Sequence, residues 1–256
     1  MCLIIFAYKN HPKYKVVMAA NRDEFYERPT LAADFWADKP DILAGRDLKA
    51  GGTWLGVNTF GQYAVITNYR DPHNQKEAAP SRGHLVQKYL EKAISPKSYL
   101  EQLSNGGSDY NGFNLLVGDK GSLYYYSNRK EDIYEIPEGV HGLSNNLLNI
   151  NWPKVSQGTM NMQNILAKDE INVDSLFTMM ADTKLADEKI LPDTGVGVEL
   201  ERILSASFVI SPNYGTHLTT VLLIDYDHNI QFWERTFIDR NPNKWDEVFY
   251  EIPGSL

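Results

Sequence analysis

Apolar residues gather in two short runs at the start of the chain, Cys2 to Tyr8 and Tyr14 to Ala20, around the turn-forming cluster Asn10-His11-Pro12-Lys13. Two β-favouring runs flanking such a cluster predict a hairpin. A polar, proline-containing excursion follows from Tyr26 to Ala50, and then Thr53 to Val57 and Tyr63 to Thr67 flank Phe60-Gly61 as a second hairpin. Between Ser81 and Leu103 the spacing changes to that of a helix, with Leu85, Val86, Tyr89, Leu90 and Ala93 on one face. Ser95-Pro96 opens another short helix with proline in its first turn. Phe113 to Val117, Leu123 to Tyr126 and Ile133 to Ile136 predict a meander, and Trp152 to Leu166 and Val173 to Met180 return to helical spacing. Ser207 to Ile210, Thr219 to Ile224 and Ile230 to Thr236 are strand-like again. Antiparallel strands interrupted by helical pairs predict an α+β layered fold, because each sheet needs its apolar face covered.

Composition narrows the functional classes. The 256 residues, 43% hydrophobic and 23% charged, suit one core, and no stretch reads as a linker, repeat or low-complexity segment, so residues 1–256 are expected to form a single domain. A formal net charge of −8, without a Lys/Arg stripe to offset it, disfavours a nucleic-acid partner. The apolar run after Met1 is too short for a signal-peptide core and lacks a basic region before it, and no run is long enough to span a bilayer. One cysteine and six scattered histidines give neither a disulfide framework nor a zinc spacing. The expectation is a cytoplasmic protein with no metal and no required cofactor.

The candidate chemistry begins at Met1-Cys2. Aminopeptidases generally remove Met1 when the next side chain is small, which would leave Cys2 holding a thiol and an amine on adjacent carbons. That amine, with an ordinary pKa of about 7.7 to 8.0, can act as base for its own thiol. The other reading of a lone cysteine in an apolar strand is a small buried hydrophobe. Asn21-Arg22-Asp23-Glu24 follows the second apolar run, and the hairpin would carry it back beside Cys2. Alternation puts Asn21 and Asp23 on one face and Arg22 and Glu24 on the other. A carboxylate there would hold the ammonium and the arginine would favour the thiolate; a surface turn with a weak ion pair is the plain alternative.

The ordered set Cys2, Asn21-Arg22-Asp23-Glu24, Gly52-Thr53-Trp54-Leu55-Gly56, Thr67-Asn68-Tyr69-Arg70, Ser81-Arg82-Gly83, Gly112-Phe113-Asn114-Leu115-Leu116, Gly142-Leu143-Ser144-Asn145, Tyr214-Gly215-Thr216 and Thr220-Val221 resembles the NRDE, or transport and Golgi organisation 2, family. That resemblance, rather than periodicity, implies the fold of the N-terminal-nucleophile hydrolases, a four-layer αββα sandwich of two antiparallel sheets. It also implies a relation to cysteine amidases that attack linear amides. In those, an arginine and an aspartate near the end of the second strand hold the nucleophile, and two asparagines help form the oxyanion hole. Asn68 and Asn145 match those asparagines best, although a strand-end or turn asparagine is the commoner use of the residue. Trp54, Tyr69, Arg70 and His217 are then expected on the substrate side. The chain departs from the pattern twice: the amidases space their arginine and acid differently from Arg22 and Asp23, and His217 stands where the family commonly has arginine. The expected partner is a small-molecule amide. The rival expectation is a non-catalytic role on the same scaffold, binding or mobilising haem or serving lipid metabolism, with Cys2, His217 or a tyrosine as axial ligand.

Overall fold

A computed structural model describes residues 2–254. The chain opens with β1 (Cys2–Tyr8) and β2 (Tyr14–Phe25), then β3 (Thr30–Trp36), β4 (Lys39–Asp47), β5 (Leu55–Asn58) and β6 (Tyr63–Asn68). Helices α1 (Gly83–Leu90) and α2 (Pro96–Ser104) precede β7 (Phe113–Gly118), β8 (Leu123–Ser127), β9 (Ile133–Glu135) and β10 (Gly139–Leu143). Helices α3 (Pro153–Leu166), α4 (Val173–Met180) and α5 (Val198–Ile203) lead to β11 (Tyr214–Asp225), β12 (Ile230–Phe237) and β13 (Trp245–Ile252).

The strands form two antiparallel sheets, ordered β10-β1-β2-β11-β12-β13 and β3-β4-β5-β6-β7-β8-β9. Alternation along β1 explains why it reads as a continuous apolar run. Ile4, Phe6 and Tyr8 enter the core between the sheets, whereas Leu3, Ile5 and Ala7 pack with Val155, Met162, Leu176 and Phe177 of α3 and α4. A strand covered on both faces has no polar side to show. On the second sheet, α1 packs over β5 and β6 and α2 over β8, completing the αββα layers. Each fully buried Leu, Ile or Phe contributes roughly 1.5 to 3 kcal/mol, so these two faces hold most of the stability.

The predicted hairpins and the helices at 153–166 and 173–180 are present. The polar excursion at 26–50 is itself a hairpin, β3 with β4, hidden because β3 is an edge strand with exposed Leu31 and Phe35. The strand expected at 207–210 reduces to an isolated bridge from Ile210 to Gly215, while β10, α5 and β13 carry no clear periodic signal. Strand β2 runs through Asn21-Arg22-Asp23-Glu24 instead of stopping before it, because β1 pairs with it as far as Arg22 and β11 as far as Phe25.

Candidate active site

Cys2 begins β1 with its backbone opposite Arg22 of β2, so the hairpin register alone puts the thiol beside the polar quartet. Cys2 is half-buried, and its carbonyl accepts a hydrogen bond from Ser144 Oγ at 3.1 Å. Burial pushes its thiol above the ordinary value, with the Asp23 charge adding to the rise and Arg22 opposing it. Attack by this sulfur therefore requires a base to take its proton.

The quartet divides as the strand pleat requires. Arg22 faces the core between the sheets and lies 4.5 Å from the Trp54 ring, with Glu24 at 4.0 Å. A desolvated guanidinium on an indole is worth about 2 kcal/mol. Trp54 reaches this position across Gly45, where a Cβ would lie 2.3 Å from the indole. Asn21 faces the helices: its amide donates to the carbonyls of Met180 (2.9 Å) and Ser207 (2.8 Å), and its oxygen accepts from Thr219 Oγ1 at 2.6 Å. Those bonds make it a strut between β2, β11, the end of α4 and the segment that follows α5. Asp23 shares that face, is buried, and accepts from Thr216 Oγ1 at 2.7 Å, while its backbone carbonyl accepts from Tyr214 OH at 2.9 Å. Burial raises the Asp23 carboxyl, opposed by the charges of Lys154 and Arg70 and by the Thr216 bond.

A cleft of about 460 Å³ opens over Cys2, and Arg22, Asp23, Glu24, Trp54, Asn68 and Arg82 are among the residues lining it. A volume in this range accommodates a small organic molecule. Asn145 stands just behind the lining: buried, its Nδ2 donates to the Asn68 carbonyl at 2.8 Å, and its own carbonyl accepts from the Arg70 N–H at 2.7 Å. Tyr69 and Arg70 are not among the residues that line the cleft. The Arg70 guanidinium lies 4.8 Å from the Trp152 ring and binds Glu201 at 2.5 Å, a buried ion pair outside the cleft. His217 lies at a register shift in β11 between Thr216 and Leu218, and its ring stacks on Tyr26 at 5.3 Å, beside Phe237 and Arg240. Burial, then Arg22, push the imidazole down, favouring its neutral form.

Sequence reasoning did not single out Arg28, Asp47 or Arg82, which join the cleft walls; Arg28 binds Asp47 at 2.6 Å and Arg82 donates to the Gly112 carbonyl at 2.9 Å. The recurring Ser81-Arg82-Gly83 motif was the available signal for Arg82. A larger cavity, about 840 Å³, lies beside α3 between Met160, Leu185 and Ser207, and holds none of the candidate residues chosen from sequence.

The transport and Golgi organisation 2 family profile matches residues 1–239. The chain belongs to this family. The transport and Golgi organisation protein 2 homologue of Bos taurus is 37% identical over 98% of this chain and 99% of its own length. The transport and Golgi organisation protein 2 of Drosophila melanogaster is 27% identical over 98% of both. Among solved structures, a conjugated bile acid hydrolase from Clostridium perfringens superposes with a TM-score of 0.53 at 10% identity, covering 97% of this chain and 92% of that one. A second structure of that hydrolase gives 0.52 at 11% identity. This member of the transport and Golgi organisation 2 family therefore has the fold of an N-terminal-nucleophile hydrolase. Among its described residues no helix is long and apolar enough to cross a membrane, and no cluster of three His, Cys, Asp or Glu is placed to hold a metal.

Proposed function

We propose that the protein is a cysteine amidohydrolase acting on linear carbon–nitrogen amide bonds, with Cys2 as N-terminal nucleophile after removal of Met1. Met1 itself lies outside the described residues. The observation that carries the reading is Cys2 in a cleft shared with Arg22, Asp23 and Asn68, its backbone opposite Arg22. The likeness in fold to conjugated bile acid hydrolases supports it.

The chemistry follows from the thiol's raised pKa. The freed amine of Cys2 takes the thiol proton, and the sulfur attacks the amide carbonyl. The oxyanion rests on donors at Asn68, whose backbone Asn145 fixes. Collapse of the tetrahedral adduct breaks the carbon–nitrogen bond as the Cys2 ammonium gives its proton to the departing amine. Asp23 serves in this reading as the anion that holds that ammonium between steps. Water, deprotonated by the same amine, then hydrolyses the thioester and returns the thiol.

The intact mass of the purified protein reports whether Met1 has been removed. A panel of N-acyl amides, with Cys2→Ala as control, then reads turnover, and mass spectrometry of denatured protein reads a +acyl adduct on the Cys2 peptide. Turnover and adduct in the wild type alone are expected. A processed protein inert to the panel, showing instead a Soret band with haemin that Cys2→Ala abolishes, would replace this reading with haem binding.

A further inference from the structure

Glu201 of α5 is 3% exposed, and both of its carboxylate oxygens are occupied. Oε2 accepts from Arg70 Nη1 at 2.5 Å, while Oε1 accepts from the Thr194 backbone N–H at 2.9 Å and the Thr194 hydroxyl at 2.5 Å. A charge this far from water persists only when such bonds surround it, and removing one member of the pair strands the other. The Arg70 guanidinium also lies 4.8 Å from the ring of Trp152, the buried residue that caps the start of α3. The cation is therefore fastened to both α3 and α5.

Neither Glu201 nor Arg70 lines the cleft, so the link to it runs through the main chain. Asn68 ends β6, and just beyond it the Arg70 N–H donates to the Asn145 carbonyl at 2.7 Å. The Asn145 amide donates back to the Asn68 carbonyl at 2.8 Å. Asn145 is thus gripped at main chain and side chain by residues 68 and 70. Its neighbour Ser144 donates to the Cys2 carbonyl at 3.1 Å and accepts, at its own carbonyl, from Thr67 Oγ1 at 2.8 Å. Residues 67–70 and 144–145 form one hydrogen-bonded unit that joins Cys2 to Asn68, and the Arg70 side chain anchors that unit to the helices.

We propose that Glu201 is a positioning residue for the Cys2 centre: by holding the Arg70 side chain it fixes the Asn68–Asn145 wall relative to Cys2. A shift of about 1 Å at a reacting centre can cost 10²-fold in rate, so an anchor outside the cleft can matter to the chemistry inside it. The role in turnover rests on the amidohydrolase reading, whereas the link from Glu201 to Asn145 can be measured with no substrate present.

The test uses the full chain. Glu201→Gln keeps the shape of the side chain and removes the charge that holds Arg70. By NMR it is expected to shift the Asn145 side-chain amide resonances and to speed exchange of the Arg70 N–H by about 10-fold or more, while the Leu116 N–H inside β7 keeps its protection. Arg70→Lys keeps the main chain and the positive charge but loses the guanidinium fork, and it decides if Glu201→Gln does not fold. The double variant should be no worse than either single one, because both cut the same link. Asn145 and Arg70 signals that stay put, or exchange that quickens equally at Leu116, overturn the proposal. In turnover assays Glu201→Gln should lower kcat by about 10-fold or more with KM held, and unchanged kcat in an active protein also overturns it. Shifted Asn145 signals in a protein that hydrolyses no amide would uphold the link from Glu201 to the wall and sink the amidohydrolase reading instead.

Discussion

The side-chain amide of Asn145 donates to the backbone carbonyl of Asn68 at 2.8 Å, joining the two asparagines into one device in which only Asn68 reaches the cleft. Asn145 is therefore a support for the wall opposite Cys2. Asn145→Ala leaves a shielded carbonyl without its donor, which costs roughly 1 to 3 kcal/mol of stability. Chemical denaturation is expected to show that loss. At temperatures where the variant stays folded, kcat should fall by about 10²-fold or more while KM changes little, the mark of a group that matters in the transition state. Unchanged kcat would remove Asn145 from the mechanism.

Gly45 is the opening through which Trp54 reaches Arg22. A methyl group there overlaps the indole, since the added carbon would lie 2.3 Å from it. Gly45→Ala should cost about 1 to 3 kcal/mol by overpacking. It should also lift Trp54 from the guanidinium, seen as a changed tryptophan emission that a simultaneous Trp54→Phe substitution removes.

Burial holds the Cys2 thiol above its ordinary 9.0, and the Asp23 charge contributes to that rise. Iodoacetamide reacts with the thiolate, so the alkylation rate of protein retaining Met1 should still be climbing at pH 9. Asp23→Asn removes an anion that opposes thiolate formation, so its alkylation profile should shift toward lower pH. A shift the other way would place Asp23 away from the sulfur.

Glu234 is buried beneath β3, accepting from the Ala33 N–H at 2.7 Å, and burial pushes its carboxyl from 4.5 up to about 7. The folded state thus binds a proton that the unfolded state has released. The sign follows: the stabilisation is complete below pH 4.5 and is lost as pH rises through about 7. The loss across that window is about 3 kcal/mol. Glu234→Gln cannot ionise, so urea unfolding should show a smaller decline in stability from pH 5 to pH 8 than the wild type. Parallel declines would mean that Glu234 does not titrate in this range.

Much of the layered fold was legible because β1, α3 and α4 bury whole faces, and buried faces leave periodic apolar patterns. Edge elements left no such trace. Strand β3 exposes Leu31 and Phe35, and β13 exposes Trp245 and Phe249, so each mixes apolar and polar residues without a clean period. The site was legible in part for the same reason. Cys2 and Arg22 meet through a hairpin register, which is local, whereas the stacking of His217 on Tyr26 follows a register shift in β11 that no spacing along the chain announces.

By itself the sequence determined the strand that brings Cys2 beside Asn21-Arg22-Asp23-Glu24, the alternation that splits that quartet, and the family motifs. The tertiary structure alone decided which polar groups meet across distant segments: Asn145 with Asn68, Arg70 with Glu201, and Asp23 with Thr216. The reason is physical. Local pattern records which face of an element is dry, but the partner of a buried charge is set by how sheets and helices stack, and no spacing along the chain encodes that.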